Sequence, residues 1–381
     1  MSGIWGKNLQ LSLFGESHGV AIGITINGLP PGLELDMERV SFEMARRAPG
    51  KNELTTPRKE KDHPEILSGF LDGKTTGAPL TAIIWNTNTR SKDYSVLKDV
   101  MRPGQADYPG RVRYNGHNDH RGSGHFSGRI TAPLVFAGAI CQQWLKQKGV
   151  TVGSHIQSIG TIEDETFEDQ ETVTLEQIEQ FKEEQLPLFN AEKKAEMTDL
   201  ILEAKEDGDS VGGVVETFIL GLDAGDGNPF FDSVESQLAH LVFAVPAIKG
   251  IEFGTGFDIT KMRGSEANDE YYYDEQGRIK TRSNNNGGII GGITYGMPIV
   301  FRAAVKPPAS IKKKQQTINI QEGTETELEV EGRHDPCIVP RVLPVLEAVT
   351  AIGLMDLMLF GQRSVKIRIR QLMQPDMISN R

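Results

Sequence analysis

Residues 101–131 constrain this chain more than any other stretch. They read Arg102-Pro103-Gly104-Gln105-Ala106-Asp107, then a basic, turn-rich passage, then His117-Asn118-Asp119-His120-Arg121-Gly122-Ser123-Gly124-His125-Phe126-Ser127-Gly128-Arg129. Glycine at this density disfavours the interior of a helix or strand, because each glycine loses the most backbone freedom on ordering. A loop of this length inside a compact domain is more often functional than decorative. It runs into Leu134–Leu145, which is apolar nearly all round and follows Pro133 in a first helical turn. That predicts a buried helix. The expectation is a polar, cationic wall mounted on a buried support.

The charge balance sharpens this. The chain has 381 residues and a formal net charge of −11. Nucleic acid is therefore a poor partner, and local clusters of arginine stand against an acidic background. Such clusters point to a small anionic ligand, a phosphate or a carboxylate. The two cysteines, Cys141 and Cys337, form neither a disulfide framework nor a zinc pattern. The N-terminus lacks the apolar core of a signal peptide. The longest apolar run, Ile338 to Phe360, carries Arg341, Glu347 and Asp356 and the breakers Pro340, Pro344 and Gly353. It reads as a core helix rather than a membrane span. The expected compartment is the cytoplasm, with no membrane contact.

In chain order, Leu9–Phe14 and Val20–Ile26 read as strands around the turn Gly15-Glu16-Ser17-His18-Gly19. Asp36 is placed to cap a helix carrying Met37, Val40 and Met44 on one face; Arg46 and Arg47 close it before Ala48-Pro49-Gly50. Ile66–Leu71, Leu80–Trp85 and Val150–Ile159 read as strands. Residues 161–209 form a charged helical excursion. Thr174-Leu175-Glu176-Gln177 has the capping-box pattern, with Val173 and Ile178 as a hydrophobic staple. Asn190 is the expected cap of a second helix running to Ala204. Val211–Leu222 reads as a strand, Phe231–Phe243 as a helix, Asn284–Gly292 as a second glycine-rich passage and Ile299–Val305 as a strand. Arg333-His334-Asp335-Pro336 precedes the core helix, with Asp335 expected as its cap and Pro336 at its first position. Each half repeats a rhythm of glycine-rich loop, then buried helix.

Several motifs admit more than one chemistry. Gly15–Gly19 matches the Gly-x-Ser-x-Gly elbow of α/β-hydrolases, but an elbow needs a helix directly after the serine. The following run is β-branched, so a hairpin turn holding His18 fits better. His117, His120 and His125 match no zinc spacing, and no metal site is expected. Gly287–Gly292 fits neither the dinucleotide fingerprint nor the phosphate loop of nucleotidases. Arg333, His334 and Asp335 put a cation, an imidazole and a carboxylate within three residues, a set suited to acid–base chemistry.

Together these pieces resemble the chorismate synthase family over nearly the whole chain. The resemblance rests on Phe14–Gly19, Gly28-Leu29-Pro30-Pro31-Gly32, Arg46–Gly50, Asn88-Thr89-Arg90-Ser91-Lys92-Asp93-Tyr94, Gly287–Ile293 and Arg333–Arg341. It implies an α+β fold, a β-α-β sandwich with helices between two antiparallel sheets, in one domain spanning 1–381 and usually a homotetramer. It implies 1,4-anti elimination of phosphate from 5-enolpyruvylshikimate 3-phosphate, with reduced FMN required although there is no net redox change. The chain has no added reductase segment, so an external, NADPH-dependent reductant is expected.

The resemblance assigns His18 as the general acid near the leaving phosphate and Asp335 as the carboxylate assisting loss of the C6 hydrogen. It places Ser17, Arg46, Arg47, Arg102, Arg129 and Arg333 on the substrate. Flavin contacts fall on Arg47, His125, Phe126, Ser127, Pro246, Ala247, Gly291, Lys306, Pro307, Pro308, Ala309, Ser310 and Arg333. Four positions, in three motifs, depart from the family pattern. Gln105 stands where the family motif Arg-Pro-Gly-His-Ala-Asp has its second histidine, and glutamine cannot transfer a proton near neutral pH. His125 and Phe126 replace flavin-facing Arg and Ser, and Pro246 replaces a common Asn. Gln105 leaves a second reading open, a slow or inactive variant that binds flavin and substrate. A third, from another class, is a hydrolase or binding protein on the same scaffold.

Overall fold

A computed structural model describes residues 3–50, 54–55, 62–87, 96–170, 172–330, 332 and 334–373, with side chains to residue 359. Its helices are α1 (Met37–Arg47), α2 (Asp107–Arg113), α3 (Thr131–Lys146), α4 (Leu175–Glu183), α5 (Lys193–Glu206), α6 (Val234–Ala244), α7 (Gly264–Ala267) and α8 (Val339–Met373). Two five-stranded antiparallel sheets flank the central helices. The first runs Ile4–Trp5, Gln10–Gly15, Ala21–Asn27, Leu80–Trp85, Glu65–Ser68 in spatial order. The second runs Ile248–Phe253, Ile299–Val305, Gly213–Leu220, Thr151–Ile159, Ile162–Glu163. α3 touches strands of both sheets and packs along α8, while α1 and α6 fill in beside them. This is the expected α+β sandwich.

Period-two alternation builds the first sheet. Ile22, Ile24 and Ile26 are fully buried in the core shared with α3, while Thr25 on the other face meets Thr81 across the strands at 3.0 Å. α3 and α8 approach closely enough that a Cβ on Gly138 would fall 2.2 Å from Ala348 Cβ. Only glycine permits that spacing, because even one added carbon overpacks a dense core. The apolar window Val339–Leu359 is long enough to cross a membrane by composition, but 89% of it is buried inside the protein. It is the core helix expected from its charged residues. One of those, Asp356, receives the backbone N–H groups of Lys7, Asn8 and Leu9 on Oδ1 at 3.2, 2.6 and 2.7 Å.

Two of the four expected caps fall where the sequence put them. The Asp36 carboxylate accepts from Arg39 N at 2.9 Å and the Thr174 hydroxyl from Gln177 N at 3.1 Å, with Val173 packed against the apolar cluster that contains Ile178. Three expectations are corrected. Asn190 is not a helix cap: α5 starts at Lys193 without a side-chain cap, and Asn190 Oδ1 accepts from Glu192 N inside a preceding turn. The helix expected from Phe231 begins only at Val234, because Ser233 caps it. Asp335 and Pro336 do not open the core helix, which starts at Val339.

The charged excursion is fastened by a buried imidazole. His155 is fully buried in the second sheet. Its Nε2 stands 2.8 Å from Glu216 Oε2 and its Nδ1 3.4 Å from Asp164 Oδ2, the second contact being an ion pair too long for a good hydrogen bond. Phe181 and Phe189 close over the ring. Burial alone disfavours the charged ring, but the two carboxylates outweigh it and raise the His155 pKa above the ordinary value. A raised folded-state pKa contributes stability that is complete below the ordinary imidazole pKa and is lost as pH rises through the folded value. His155→Gln is therefore expected to destabilise the protein most near pH 5–6, within the range where ordinary imidazoles titrate (about 6.5). The difference from wild type should shrink at alkaline pH in urea titrations. A gap that widens with pH would contradict the charged assignment.

Candidate functional site

Gly15 ends one strand and pairs with Ile22 of the next, so the Gly-x-Ser-x-Gly segment is a hairpin turn and not a hydrolase elbow. The turn is folded inward. Ser17 is buried, and its N–H donates to Gly124 O at 3.0 Å. Gly124 belongs to the glycine-dense loop, where Gly122, Ser123 and Gly124 all take positive φ, 57°, 68° and 52°. A Cβ on Gly122 would lie 2.6 Å from His18 Cδ2 and 2.8 Å from Ser17 Oγ. Glycine thus lets the loop lie directly on the histidine.

This contact forms one side of a cavity of about 320 Å³, at the lower end of small-molecule sites. Of the residues the resemblance assigns, Ser17, Arg47, Arg102, Gln105, Phe126, Ser127, Arg129, Pro246, Ala247, Lys306–Ser310 and Asp335 line it. Both halves of the chain contribute to it. The loop before α3 supplies one wall, and 306–310 with the segment before α8 supplies another.

Each cation is held by a carboxylate or a carbonyl. Arg102 binds Asp107 in bidentate fashion at 2.7 and 2.8 Å and reaches Ser123 Oγ at 2.8 Å. Arg341 Nη1 meets Asp335 Oδ2 at 2.5 Å, and its Nε donates to the Arg47 carbonyl. Asp62 bridges Arg47 and Arg129. Lys306 Nζ donates to Gly104 O at 2.5 Å; burial and then Lys249 push its pKa down. Five cations therefore face three carboxylates around the cavity among the described residues. Burial lowers the Arg47 pKa, Asp62 opposes that, and Arg341 and Arg129 lower it further. The cluster has cationic charge to spare and suits an anion.

The other wall is apolar, with Val245, Ile338, Val342 and Val345. Ala247 there has φ 77°, and its carbonyl accepts from Lys306 N at 2.9 Å. A non-glycine residue in this conformation is strained and held by its surroundings.

Four predicted residues lie elsewhere. Arg46 does not face the cavity. Its guanidinium bonds Glu43 at 2.6 Å and Glu347 at 2.5 and 3.0 Å, and Ser154 Oγ donates to Glu347 at 2.6 Å. Burial would raise the Glu43 pKa, but Arg46 and Lys182 bring it to about 2. This is an internal ion cluster clamping α1 to α8. Gly291 sits in an exposed hairpin outside the cavity; Asp269 pins the neighbouring loop through Ser283, Asn285 and Asn286. His125 is turned to Gly15 O at 2.7 Å. His18 lies behind Gly122 and does not itself line the cavity. Arg333 and the 88–94 motif lie outside the described residues.

Sequence reasoning missed Asp62, Asp107 and Arg341 and singled out His334 only within the Arg333–Asp335 acid–base set, although Arg341 and His334 line the cavity. For Asp107 a signal existed, since its spacing five after Arg102 spans one tight turn. Asp62 carries no local signal.

A sequence profile for chorismate synthase matches residues 9–359. The chain belongs to the chorismate synthase family. A chorismate synthase of Methanocaldococcus jannaschii is 44% identical over 366 residues, covering 94% of this chain and 96% of that one. One of Dehalococcoides mccartyi is 45% identical over 359 residues, covering 94% and 97%. A chorismate synthase crystal structure superposes with a TM-score of 0.73 at 31% identity, covering 97% and 98% of the two chains. The family's members are lyases of aromatic amino acid biosynthesis, and nothing in these comparisons favours a slow variant, a hydrolase or a pure binding protein.

The packing of Gly122 on His18 gives a direct test. Gly122→Ala keeps the fold's core intact but displaces His18 or the loop. Turnover is expected to fall by about 10²-fold, as for a misplacement of ~1 Å, with unchanged far-ultraviolet circular dichroism. Unaltered turnover would detach His18 from the site.

Proposed function

We propose that this chain converts 5-enolpyruvylshikimate 3-phosphate to chorismate by 1,4-anti elimination of phosphate. The observation that carries the reading is the excess of cations over carboxylates around a cavity that also has an apolar wall. Arg47, Arg102 and Arg129 bind the substrate's phosphate and carboxylates; their guanidinium forks match both groups. His18, packed behind the cavity-lining Gly122, is the general acid for the departing phosphate that the family resemblance assigns. Asp335, oriented by Arg341, assists loss of the hydrogen from C6. As the phosphate leaves, the developing charge is met by guanidinium groups already fixed in place.

The residues present fit a flavin nucleotide. Val245, Ile338, Val342 and Val345 offer an apolar face; Pro246, Ala247, Pro307, Pro308, Ala309 and Ser310 line the same cavity. Phe126 and Ser127 border the same space, and Lys306 suits the FMN phosphate. When bound, reduced FMN supplies electron density to the substrate and recovers it, so that no net redox change results. An external, NADPH-dependent reductant is part of this reading, as is a homotetramer. Phe230, Phe231 and Phe257 are 85, 92 and 79% exposed, which supports assembly. Gln105 lines the cavity as a hydrogen-bonding residue, and the proton expected of a histidine there comes from solvent or from another donor.

The decisive experiment is an anaerobic assay with 5-enolpyruvylshikimate 3-phosphate, FMN and dithionite. Phosphate and chorismate should appear in equal amounts, and their absence would overturn the reading. Gln105→His is expected to change kcat by no more than about threefold, far short of the 10²–10⁴ that a missing general acid costs. A large gain in the same assay would mark the natural chain as deficient.

A further inference from the structure

The carboxylate of Asp62 reaches both Arg47 and Arg129 without lining the cavity. Oδ2 accepts from Arg47 Nη2 at 2.6 Å, and Oδ1 accepts from Arg129 Nη1. Asp62 is buried, and so are both guanidinium groups. A carboxylate pairing with a single arginine normally does so in fork-to-fork fashion, with both oxygens on one guanidinium. Here one oxygen goes to each arginine, so the carboxylate fixes the spacing between them. The arginines come from distant parts of the fold, Arg47 from the last turn of α1 and Arg129 from the turn that opens α3. Their like charges repel at this range, and the Asp62 carboxylate lies between them.

The remaining contacts of the pair agree with such a role. Arg47 Nη1 makes only long bonds, at 3.3 Å, to Gly128 O and Thr131 Oγ1. Arg47 Nε has no acceptor among the described residues. Arg129 Nε donates to Asn86 Oδ1 at 3.1 Å. Each side chain makes a short, charge-assisted contact to Asp62.

We propose that Asp62 is a positioning residue for the reaction: it sets the separation and orientation of Arg47 and Arg129 so that the two together hold one anionic group of the substrate. This rests on the proposed function, which puts both arginines on that substrate. The proposal makes a prediction opposite in sign to a simple charge argument. Removing a carboxylate makes the cavity more positive, which by itself would tighten the binding of any anion. If the carboxylate acts by holding geometry, its removal weakens binding instead.

The test uses the full chain, with inorganic phosphate as the probe, measured by isothermal titration calorimetry beside the steady-state assay. Asp62→Asn is expected to bind phosphate about tenfold or more weakly and to raise KM in parallel, with a smaller change in kcat. The folded fraction is checked by thermal melting. Phosphate affinity equal to or tighter than wild type in folded Asp62→Asn overturns the proposal, and identifies Asp62 as a counter-charge or a packing group. Should Asp62→Asn fail to fold, Asp62→Glu keeps the charge and moves it by one methylene. That variant must then bind phosphate several-fold more weakly at an unchanged Tm, and wild-type affinity sinks the idea. Wild-type protein that binds no phosphate, together with an Arg47→Ala variant of unchanged KM, would remove the anion site itself and this proposal with it. Phosphate binding by the wild type that Asp62→Asn leaves unmoved removes only the positioning role.

Discussion

The close contact of α3 with α8 at Gly138 and Ala348 governs the geometry of the molecule. The absence of a side chain on Gly138 lets two largely buried helices share one layer between the sheets. Both helices begin at the cavity: Thr131 opens α3 there, and Ile338, Arg341 and Val342 stand at the start of α8. Helix N-termini carry partial positive charge. The helical layer therefore aims two such termini toward the place where the arginines gather. α1 completes the arrangement from its other end, its last turn delivering Arg47, while Arg46 one residue earlier ties α1 to α8 through Glu347.

That division between neighbouring arginines shows how structure and chemistry share a helix. Consecutive residues point about 100° apart on an α-helix. Arg47 follows Val40 by seven and Met44 by three, and so lies on the buried face. Arg46 follows Glu43 by three and pairs with it. Both guanidinium groups are buried with carboxylates, but one partner set is internal to the helical layer and the other opens on the cavity. A shared motif had placed both on the substrate; helical phase separates them.

The parts of the fold legible in the sequence were those with a strong local cause. The β-branched run after Gly19 excluded a nucleophile elbow, and the hairpin is there. Asp36 and Thr174 announced their helices because a side-chain oxygen three residues before an amide is a local geometric fact. Asn190 and Asp335 failed for the complementary reason. A capping residue type is equally suited to a turn, and in both places tertiary contacts took it: Asn190 closes a turn, and Asp335 pairs with Arg341. The cavity's composition was largely legible through family resemblance. Its internal wiring was not, since Asp62 gains its meaning only from two arginines that meet it through the fold.

Asp356 has a consequence in time as well as in space. Its carboxylate gathers the amides of Lys7, Asn8 and Leu9, at the opposite end of the sequence. On the ribosome, this segment emerges some 350 residues before the carboxylate that fastens it. Until then its backbone donors must wait on water or on transient partners, and the sheet it begins cannot be sealed against α8. Contacts of such long range slow folding, because the chain must be ordered before they are made. Residues 7–9 thus gain this partner only after nearly the whole chain has been made.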